Sequence, residues 1–169
     1  MQDSIHENIR RPCRVPTPPI AGSPATLDAK MVDVLTREQR SALMARIRGK
    51  NTRPELLVRK LAHSLGYRFR LHQRKLPGSP DIVFARLKKV ILVHGCFWHR
   101  HNCGYAYMPK SRRKFWAQKF ASNISRDRRD RIALRRAGWD VLVIWECETK
   151  SNDLLRRRVS GFLQQPRPE

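Results

Sequence analysis

Residues 90–103 read VILVHGCFWHRHNC and join a short apolar run to a segment crowded with histidine and cysteine. The run at residues 90–93 and another at residues 82–84 are continuous rather than alternating, which is typical of strands buried on both faces. A basic turn at residues 86–89 separates them, so we expect two paired central strands. Three histidines and two cysteines lie within residues 94–103. The sequence therefore predicts a buried sheet, followed by a loop whose histidines and cysteines are candidates for catalysis or metal binding.

Helical signals precede these strands. Thr36 and Gln39 have the spacing of a capping box for a first helix, which Gly49 can end in the left-handed conformation. A second helix follows from the cap residue Thr52, and leucines recur along it at four-residue spacing (Leu57, Leu61, Leu65). Glu55 has the position of a capping-box partner, which competes with any catalytic interpretation of its carboxylate.

The rest of the pattern alternates strands with helices. Residues 67–72 predict a half-buried strand, because apolar and polar side chains alternate there. Residues 111–137 predict a long helix, and residues 141–145 and 153–163 predict a buried strand and a short amphipathic helix. The apolar residues that we assign to the core side of the long helix are Phe115, Phe120, Ile124 and Ile132. Helices flanking a mixed central sheet make this an α/β domain.

The predicted domain spans residues 31–163. Residues 1–30 hold five of the eleven prolines and lack a sustained apolar period, so we expect a disordered extension. Residues 164–169 form a short, Pro-containing end that we expect to be flexible.

The charge of the chain predicts its class of partner. Lysine and arginine number 36 against 14 acidic residues, which gives a formal net charge of +22. Such a balance indicates a polyanion, but phosphate attraction by itself specifies no chemistry. We find neither a stretch of roughly 20 apolar residues nor a signal pattern at the N-terminus, so we expect a cytoplasmic protein with no membrane partner.

Cysteine and histidine spacing predicts a structural zinc site. In the reducing cytosol the four cysteines of this chain are poor disulfide candidates, and the histidines clustered near them favour metal ligation. We expect Cys96, His101 and Cys103 to bind zinc, with Cys147 as the best candidate for the fourth ligand. The alternative is that these cysteines are small buried apolar residues. A closed four-ligand site would stabilise the fold without performing hydrolysis.

Hydrolysis needs a second centre. Asp81 opens one buried strand and His94 and His99 flank the end of the next, so a carboxylate and two imidazoles can converge at one sheet edge. A Mg²⁺ ion held by Asp81 would suit hydrolysis, with His99 as the general base. The alternatives are that Asp81 only ends a turn and that the histidines are merely packed or solvated.

Aromatic residues interleaved with basic ones predict a contact with bases. Phe97 and Trp98 are adjacent in the loop, and Trp116 follows a run of lysine and arginine. Apolar wedges of this kind can insert between base pairs, although they can also be core residues. Asp127 lies beside the predicted apolar face of the long helix, where it can orient His99 or pair with Arg128 or Arg131.

These segments together resemble a known family. The motif at residues 77–81, the run at residues 94–103, the charged stretch at residues 126–130 and the segment at residues 138–147 are similar, in this order, to the very short patch repair (Vsr) DNA mismatch endonucleases. The resemblance covers roughly residues 31–150. It implies a restriction-endonuclease-like fold and a Mg²⁺-dependent nick on the 5′ side of the thymine in a T·G mismatch, the lesion left by deamination of 5-methylcytosine.

The resemblance also implies catalytic roles. Asp81 matches the metal-binding aspartate, His99 the general base and His94 an assisting histidine. Asp127 matches the carboxylate that partners the catalytic histidine, and Glu55 a glutamate near the metal.

Further roles follow from the same resemblance. Val93 replaces a threonine whose backbone carbonyl reaches magnesium, and a valine carbonyl can do the same. Arg100 and Asn102 replace histidines of the best-known relatives. The residues that match the structural zinc set are Cys96, His101, Cys103 and Cys147, and those that match the intercalating aromatics are Phe97, Trp98 and Trp116.

The expected partner is double-stranded DNA with a T·G mismatch, on the nucleoid of a bacterial cell. Mismatch-repair proteins and a repair polymerase are possible further partners, and a nickase can act as a monomer. Two alternatives stay open: a restriction-like endonuclease that cuts matched DNA, and a non-catalytic, zinc-stabilised DNA-binding protein.

Overall fold

The computed structural model describes residues 49–166, together with Thr36, Glu38, Gln39 and Ala42. The predicted extension at residues 1–30 and most of the first helix lie outside the described residues. The capping box of that helix is confirmed. The backbone N–H of Thr36 donates to Gln39 Oε1 at 2.9 Å, and the N–H of Gln39 donates to Thr36 Oγ1 at 3.2 Å.

Within the described residues, four strands form one mixed sheet in the order β1-β2-β3-β4. The strands are β1 (Arg70–Leu71), β2 (Ile82–Phe84), β3 (Lys89–His94) and β4 (Asp140–Trp145). β2 is antiparallel to both β1 and β3, whereas β3 and β4 run parallel. The predicted pairing of the two apolar runs is confirmed by the register, in which Val83 faces Val90.

Helices cover both faces of this sheet: α1 (Arg53–Ser64), α2 (Arg113–Arg136) and α3 (Asn152–Gln164). Alternation along the strands divides the core between the faces. Ile82, Phe84 and Ile91 pack with residues of α1 and α3. Val83 and Val90 point the other way and pack against Leu134 of α2. The predicted mixed sheet flanked by helices is therefore confirmed.

The beginning of α1 follows from its sequence. Thr52 accepts a hydrogen bond from the backbone of Glu55, the Glu55 side chain returns to the cap, and a proline occupies the first turn. These interactions satisfy N–H groups that the helix leaves open.

The prediction for residues 67–72 is only partly correct. Tyr67 and Phe69 pack on the core, but Leu71 is 38% exposed and β1 contains two residues. His72 adopts a positive φ of 46°. Alternation cannot continue through a left-handed residue, so the His72 side chain turns inward, where its ring reaches Arg59.

The core side predicted for α2 is confirmed for Phe120 and wrong for the other three residues. Phe115, Ile124 and Ile132 are exposed, whereas Phe120, Asn123 and Leu134 are buried. The buried face contains polar residues because it closes the cleft described below, and an apolar pattern cannot reveal such a face.

Lys89 was placed in the basic turn, but it is 2% exposed and begins β3. Its Nζ donates to the carbonyls of Phe162 and Leu163 at 2.8 and 3.4 Å and also to that of Gln165. A lysine suits this place because carbonyls at a helix C-terminus lack intrahelical partners. Among the described residues, no helix combines the length and apolar character needed to cross a membrane.

Candidate active site

A cleft of about 690 Å³ opens between α2 and one edge of the sheet. β2 and β3 are antiparallel, so the first residue before β2 and the last residue of β3 lie at the same edge. The sheet alternation then directs Asp81 and His94 to the face that α2 covers. Both residues line the cleft, as do His99 and Asp127. The structure therefore brings together the carboxylates and imidazoles that the sequence singled out.

Asp81 is held between two strands. Its Oδ2 accepts a hydrogen bond from the backbone N–H of Val93 at 2.8 Å. Burial raises the pKa of Asp81 to about 6, and the nearby Glu55 carboxylate adds to that rise, although the Val93 N–H, Arg59 and His99 oppose it. An ionised Asp81 is thus destabilised by burial, and a cation would relieve that cost.

His99 and His94 form the second part of the site. His99 Nδ1 contacts Asp127 Oδ2, and the His94 ring stacks on the His99 ring with 4.0 Å between centroids. Burial, followed by the charge of His99, lowers the pKa of His94 to about 3. The pKa of Asp127 is also lowered: burial raises it, but the hydrogen bond and charge of His99 outweigh that effect.

Asp127 reaches His99 because α2 presents a polar stripe to the cleft. Asn123 and Asp130 share this face, at spacings of four and three residues from Asp127. Asn123 Nδ2 donates to the carbonyl of Trp98 at 2.9 Å and so ties the loop to the helix. Arg131 Nε donates to the Asp127 carbonyl at 3.3 Å. Of the two predictions for Asp127, contact with His99 is the one observed.

Glu55 is both a helix-capping residue and a neighbour of the cleft, the two positions that the sequence analysis considered for it. It is 3% exposed and completes the capping box with Thr52. It also accepts a hydrogen bond from Arg59 at 2.7 Å. In addition, potential ligand atoms of Glu55, His72 and Asp81 all lie within 4.8 Å of one another. The capping partner is therefore also a neighbour of the cleft carboxylate.

The predicted zinc ligands form one cluster. Potential ligand atoms of Cys96, His101, Cys103 and Cys147 all lie within 4.8 Å of one another. His101 Nδ1 is 3.7 Å from Cys96 Sγ and 3.3 Å from Cys147 Sγ. Tetrahedral zinc places sulfur and nitrogen ligands about 3.6 Å apart, so the spacing suits this ion. Burial raises the pKa of the Cys96 thiol to about 11, and the Cys147 backbone N–H opposes that rise.

The topology explains this cluster. Cys96 follows β3, and Cys147 follows β4 in a 3₁₀ segment at Glu146–Lys150. Because β3 and β4 are parallel, both positions lie at the same edge of the sheet. His101 stacks on Trp145, the last residue of β4, with 4.4 Å between ring centroids. The cluster thus joins the loop that carries His99 to the end of β4.

The aromatic residues of the loop gather on α2. Phe97 lies 5.1 Å from Trp98 and 5.4 Å from Trp116, measured between ring centroids. Phe97 also meets the buried Phe120 at 5.2 Å. Phe97, Trp98 and Trp116 are all partly exposed. These three side chains form one aromatic surface. Phe97 and Trp116 pack on Phe120 on one side, and all three side chains are partly exposed to solvent on the other.

Sequence reasoning missed several residues of the cleft. His72 was assigned only to the alternation of a strand, but it lies beside Asp81, with 3.9 Å between His72 Nδ1 and Asp81 Oδ1. Burial, followed by the charge of Arg59, lowers the pKa of His72. Lys119 and Arg126 line the same cleft from α2. The three-and-four spacing of polar residues on that helix is the signal that could have indicated this face.

The chain is similar to known DNA endonucleases. The family model described as DNA mismatch endonuclease Vsr matches residues 32–105. The type II nicking enzyme V.XorIIP of Xanthomonas oryzae pv. oryzae is 50% identical over 133 residues, which cover 79% of this chain and 98% of that relative. The DNA mismatch endonuclease Vsr of Escherichia coli K12 is 39% identical over 125 residues, which cover 74% of this chain and 80% of that relative.

Another relative is the type II nicking enzyme V.NmeAIP of Neisseria meningitidis. It is 38% identical over 135 residues, which cover 80% of this chain and 96% of the relative. These identities extend beyond the range of the family model and over most of each relative. The chain therefore belongs to the Vsr family of DNA endonucleases.

Proposed function

We propose that this endonuclease nicks the thymine strand of double-stranded DNA on the 5′ side of the thymine in a T·G mismatch, in a Mg²⁺-dependent reaction. The observation that carries the hydrolytic part is the contact of His99 Nδ1 with Asp127 in the cleft that also holds Asp81. We also propose that the chain has a restriction-endonuclease-like fold and that it acts as a monomer on the bacterial nucleoid in the cytoplasm. A mismatch-repair protein and a repair polymerase are the partners that would act with it.

The residues around Asp81 fit a hard divalent cation. Asp81 and Glu55 supply carboxylate oxygens, the ligand type that Mg²⁺ prefers. The N–H of Val93 faces Asp81, and in an extended strand the carbonyl of the same residue points to the same side. Asp81 and the Val93 carbonyl would hold the ion, with Glu55 nearby. A bound Mg²⁺ would neutralise phosphate charge and lower the pKa of a coordinated water.

His99 acts as the general base in this proposal. The Asp127 carboxylate accepts a hydrogen bond from Nδ1–H, so Nε2 carries the lone pair that can take a proton from the attacking water. Asp127 then stabilises the imidazolium that forms, as a carboxylate does when it orients a catalytic imidazole.

His94 assists without becoming charged. Its lowered pKa keeps the ring neutral at neutral pH, so it adds no positive charge beside the imidazolium of His99. A neutral ring retains one N–H, which can donate to a phosphate oxygen or to the leaving oxygen.

Substrate binding uses charge and aromatic surface. Lys119 and Arg126 at the cleft can contact phosphates, consistent with a net charge of +22. Phe97, Trp98 and Trp116 would insert beside the mismatch, where unstacking costs least. We propose Zn²⁺ as the ion of the Cys96, His101, Cys103 and Cys147 cluster, where it would hold the loop in place.

Strand-specific nicking tests the function. Duplexes labelled separately on each strand and carrying a T·G, T·A or C·G pair at one position are incubated with the protein, with and without Mg²⁺. We expect one nick, in the thymine strand of the T·G duplex only, and none with the Asp81→Asn variant. Asp153→Asn, a change of an exposed residue of α3, is the matched control.

Other outcomes separate the alternatives. Cutting of both strands of matched duplexes would indicate a restriction-like enzyme. Tight binding without cutting under every metal condition would indicate a DNA-binding protein. Sedimentation of the protein with a mismatched duplex tests the monomer, because a dimer would bring two chains to each lesion.

A further inference from the structure

We propose that His72 is a positioning residue for Asp81. Its Nδ1–H faces the Asp81 carboxylate, and its Nε2 accepts a hydrogen bond from Arg59. This inference rests on the proposed function, since it concerns how the chain prepares Asp81 for a cation. It assigns a role to a histidine that the mechanism above does not use.

His72 lies between the cleft carboxylate and a buried ion pair. Its Nε2 is 3.0 Å from Arg59 Nη2, and its Nδ1 is 3.9 Å from Asp81 Oδ1. The backbone N–H of His72 also donates to the Asp81 carbonyl at 3.5 Å. The φ of 46° at His72 ends β1 and turns this side chain toward Asp81. The histidine is therefore joined to Asp81 by a long backbone hydrogen bond, and its ring lies beside the Asp81 carboxylate.

The neighbouring arginine decides the tautomer of the ring. A guanidinium can only donate, so the Nε2 that faces Arg59 must accept. A neutral imidazole carries one proton, which then resides on Nδ1 and faces Asp81. At 3.9 Å this is an electrostatic contact that a small movement of either side chain would convert into a hydrogen bond.

The same geometry opposes metal ligation by His72. A ligand needs a lone pair, and Nδ1 would have one only if the proton moved to Nε2. That proton would then face an Arg59 N–H across 3.0 Å, so two donors would oppose each other. His72 therefore acts on Asp81 rather than on the ion, although its ring atoms lie close enough to be considered as ligands.

The contacts continue from His72 into α1. Arg59 Nη2 also donates to Glu55 Oε2 at 2.7 Å, and Arg59 Nη1 donates to Asn51 Oδ1 at 2.6 Å. Asp81 is held on its other side, where Oδ2 accepts from the Val93 N–H. Oδ2 of Asp81 is thus hydrogen-bonded, while Oδ1 faces His72 Nδ1 at 3.9 Å, so in our proposal the ring helps to orient the carboxylate. Loss of such an orienting partner typically weakens metal binding by about 10- to 100-fold.

The first test is the affinity of the full-length, zinc-loaded protein for Mg²⁺, measured by calorimetry without DNA. We expect His72→Leu to bind Mg²⁺ at least about 10-fold more weakly than the wild type. His72→Gln should retain most of the affinity, because an amide can accept from Arg59 and donate to Asp81. His63→Leu is the matched control, since His63 is exposed near the end of α1.

The second test is the protonation of the His72 ring in the wild-type protein, read from ¹⁵N NMR shifts with and without Mg²⁺. We expect the proton on Nδ1 in both conditions. A proton on Nε2 in the Mg²⁺-loaded protein would overturn the proposal and make His72 a ligand. This measurement needs no variant, so it decides the matter even if His72→Leu fails to fold.

Failure of this inference is distinct from failure of the proposed function. If His72→Leu binds Mg²⁺ like the wild type while Asp81→Asn does not bind it, only the role of His72 is wrong. If Asp81→Asn also binds Mg²⁺ normally, the ion lies elsewhere, and both the proposed metal site and the role of His72 are overturned.

Discussion

The imidazole rings of His94 and His99 lie face to face, with 4.0 Å between their centroids and 12° between their planes. Two positive charges at this separation would repel by about 4 kcal/mol at an effective dielectric constant of about 20. At most one ring is therefore charged under ordinary conditions. Burial keeps His94 neutral, so the His99 ring, which contacts Asp127, can take up a proton without a second charge facing it.

This stack predicts how His94 affects stability in acid. The pKa of His94 is lowered to about 3 from 6.5, so the folded state binds fewer protons than the unfolded state between these values. Stability is then lost as the pH falls from about 6.5 to about 3, by at most about 1.4 kcal/mol per pH unit for one proton. Urea unfolding from pH 7 to 4 should show a shallower loss in His94→Gln than in the wild type. Equal slopes in both proteins would contradict this, and His63→Gln serves as the control.

Asp81 should show the opposite dependence. Its pKa is raised to about 6, so the folded state binds the proton more tightly and stability falls as the pH rises from about 4 to 6. In Mg²⁺-free buffer at pH 8, we expect Asp81→Asn to be more stable than the wild type by roughly 3 kcal/mol, with little difference at pH 4. Mg²⁺ should raise the Tm of the wild type alone. A less stable Asp81→Asn at pH 8 would show that burial is not the main cause of the shift.

We expect Asp127 to raise the nicking rate by acting on His99 rather than by stabilising the fold. Removal of a general base typically lowers the rate by 10²- to 10⁴-fold, which is the range expected for His99→Ala. Asp127→Asn should lose less, because His99 remains but its orientation and charge stabilisation weaken. Single-turnover nicking of the T·G duplex measures both rates. A double variant that is no slower than His99→Ala alone would support action through one unit, whereas multiplied losses would indicate independent roles.

The cysteine cluster should bind about one zinc ion per chain and contribute to folding. Elemental analysis of protein purified without added metal measures this content. Cys103→Ala should lose the ion and unfold at 37 °C, because a metal that binds only the folded state stabilises that state. Cys13→Ser changes a cysteine that the sequence analysis does not assign to the cluster, and this variant should keep both the ion and the Tm. A stable, zinc-free Cys103→Ala protein would indicate that the cysteines are merely buried apolar residues.

The aromatic surface should distinguish mismatched from matched DNA. Base stacking on an aromatic side chain contributes about 1–3 kcal/mol per base, so Phe97→Ala should weaken binding of the T·G duplex by about 10-fold or more. Binding of matched DNA should change little, because that binding depends mainly on phosphate contacts. Fluorescence anisotropy with both duplexes measures the difference. Equal losses on both duplexes would indicate that Phe97 only supports the loop.

Several elements could be predicted because their signals are local. The capping boxes at Thr36 and Thr52 involve residues three positions apart, and the pairing of β2 with β3 follows from two apolar runs joined by a short turn. Ligand types crowded into residues 94–103 likewise indicate a metal cluster without knowledge of the fold.

Other features could not be predicted because they depend on a distant partner. The core side of α2 was misjudged, since the buried Asn123 gains its place from the Trp98 carbonyl of the loop. Lys89 is buried only because the carbonyls at the end of α3 accept hydrogen bonds from its Nζ. His72 turns inward through one positive φ value that no periodic pattern encodes.

The sequence by itself determined which chemical groups this protein possesses and which segments become strands and helices, because side-chain type and short-range spacing act locally. Only the tertiary structure decided which of these groups meet. The antiparallel pairing of β2 and β3 brings Asp81 to the edge that carries His94, and the polar face of α2 brings Asp127 to His99. The burial that shifts the pKa values of Asp81 and His94 in opposite directions arises from the same assembly. Desolvation depends on everything that surrounds a group, and most of those neighbours are remote in the chain.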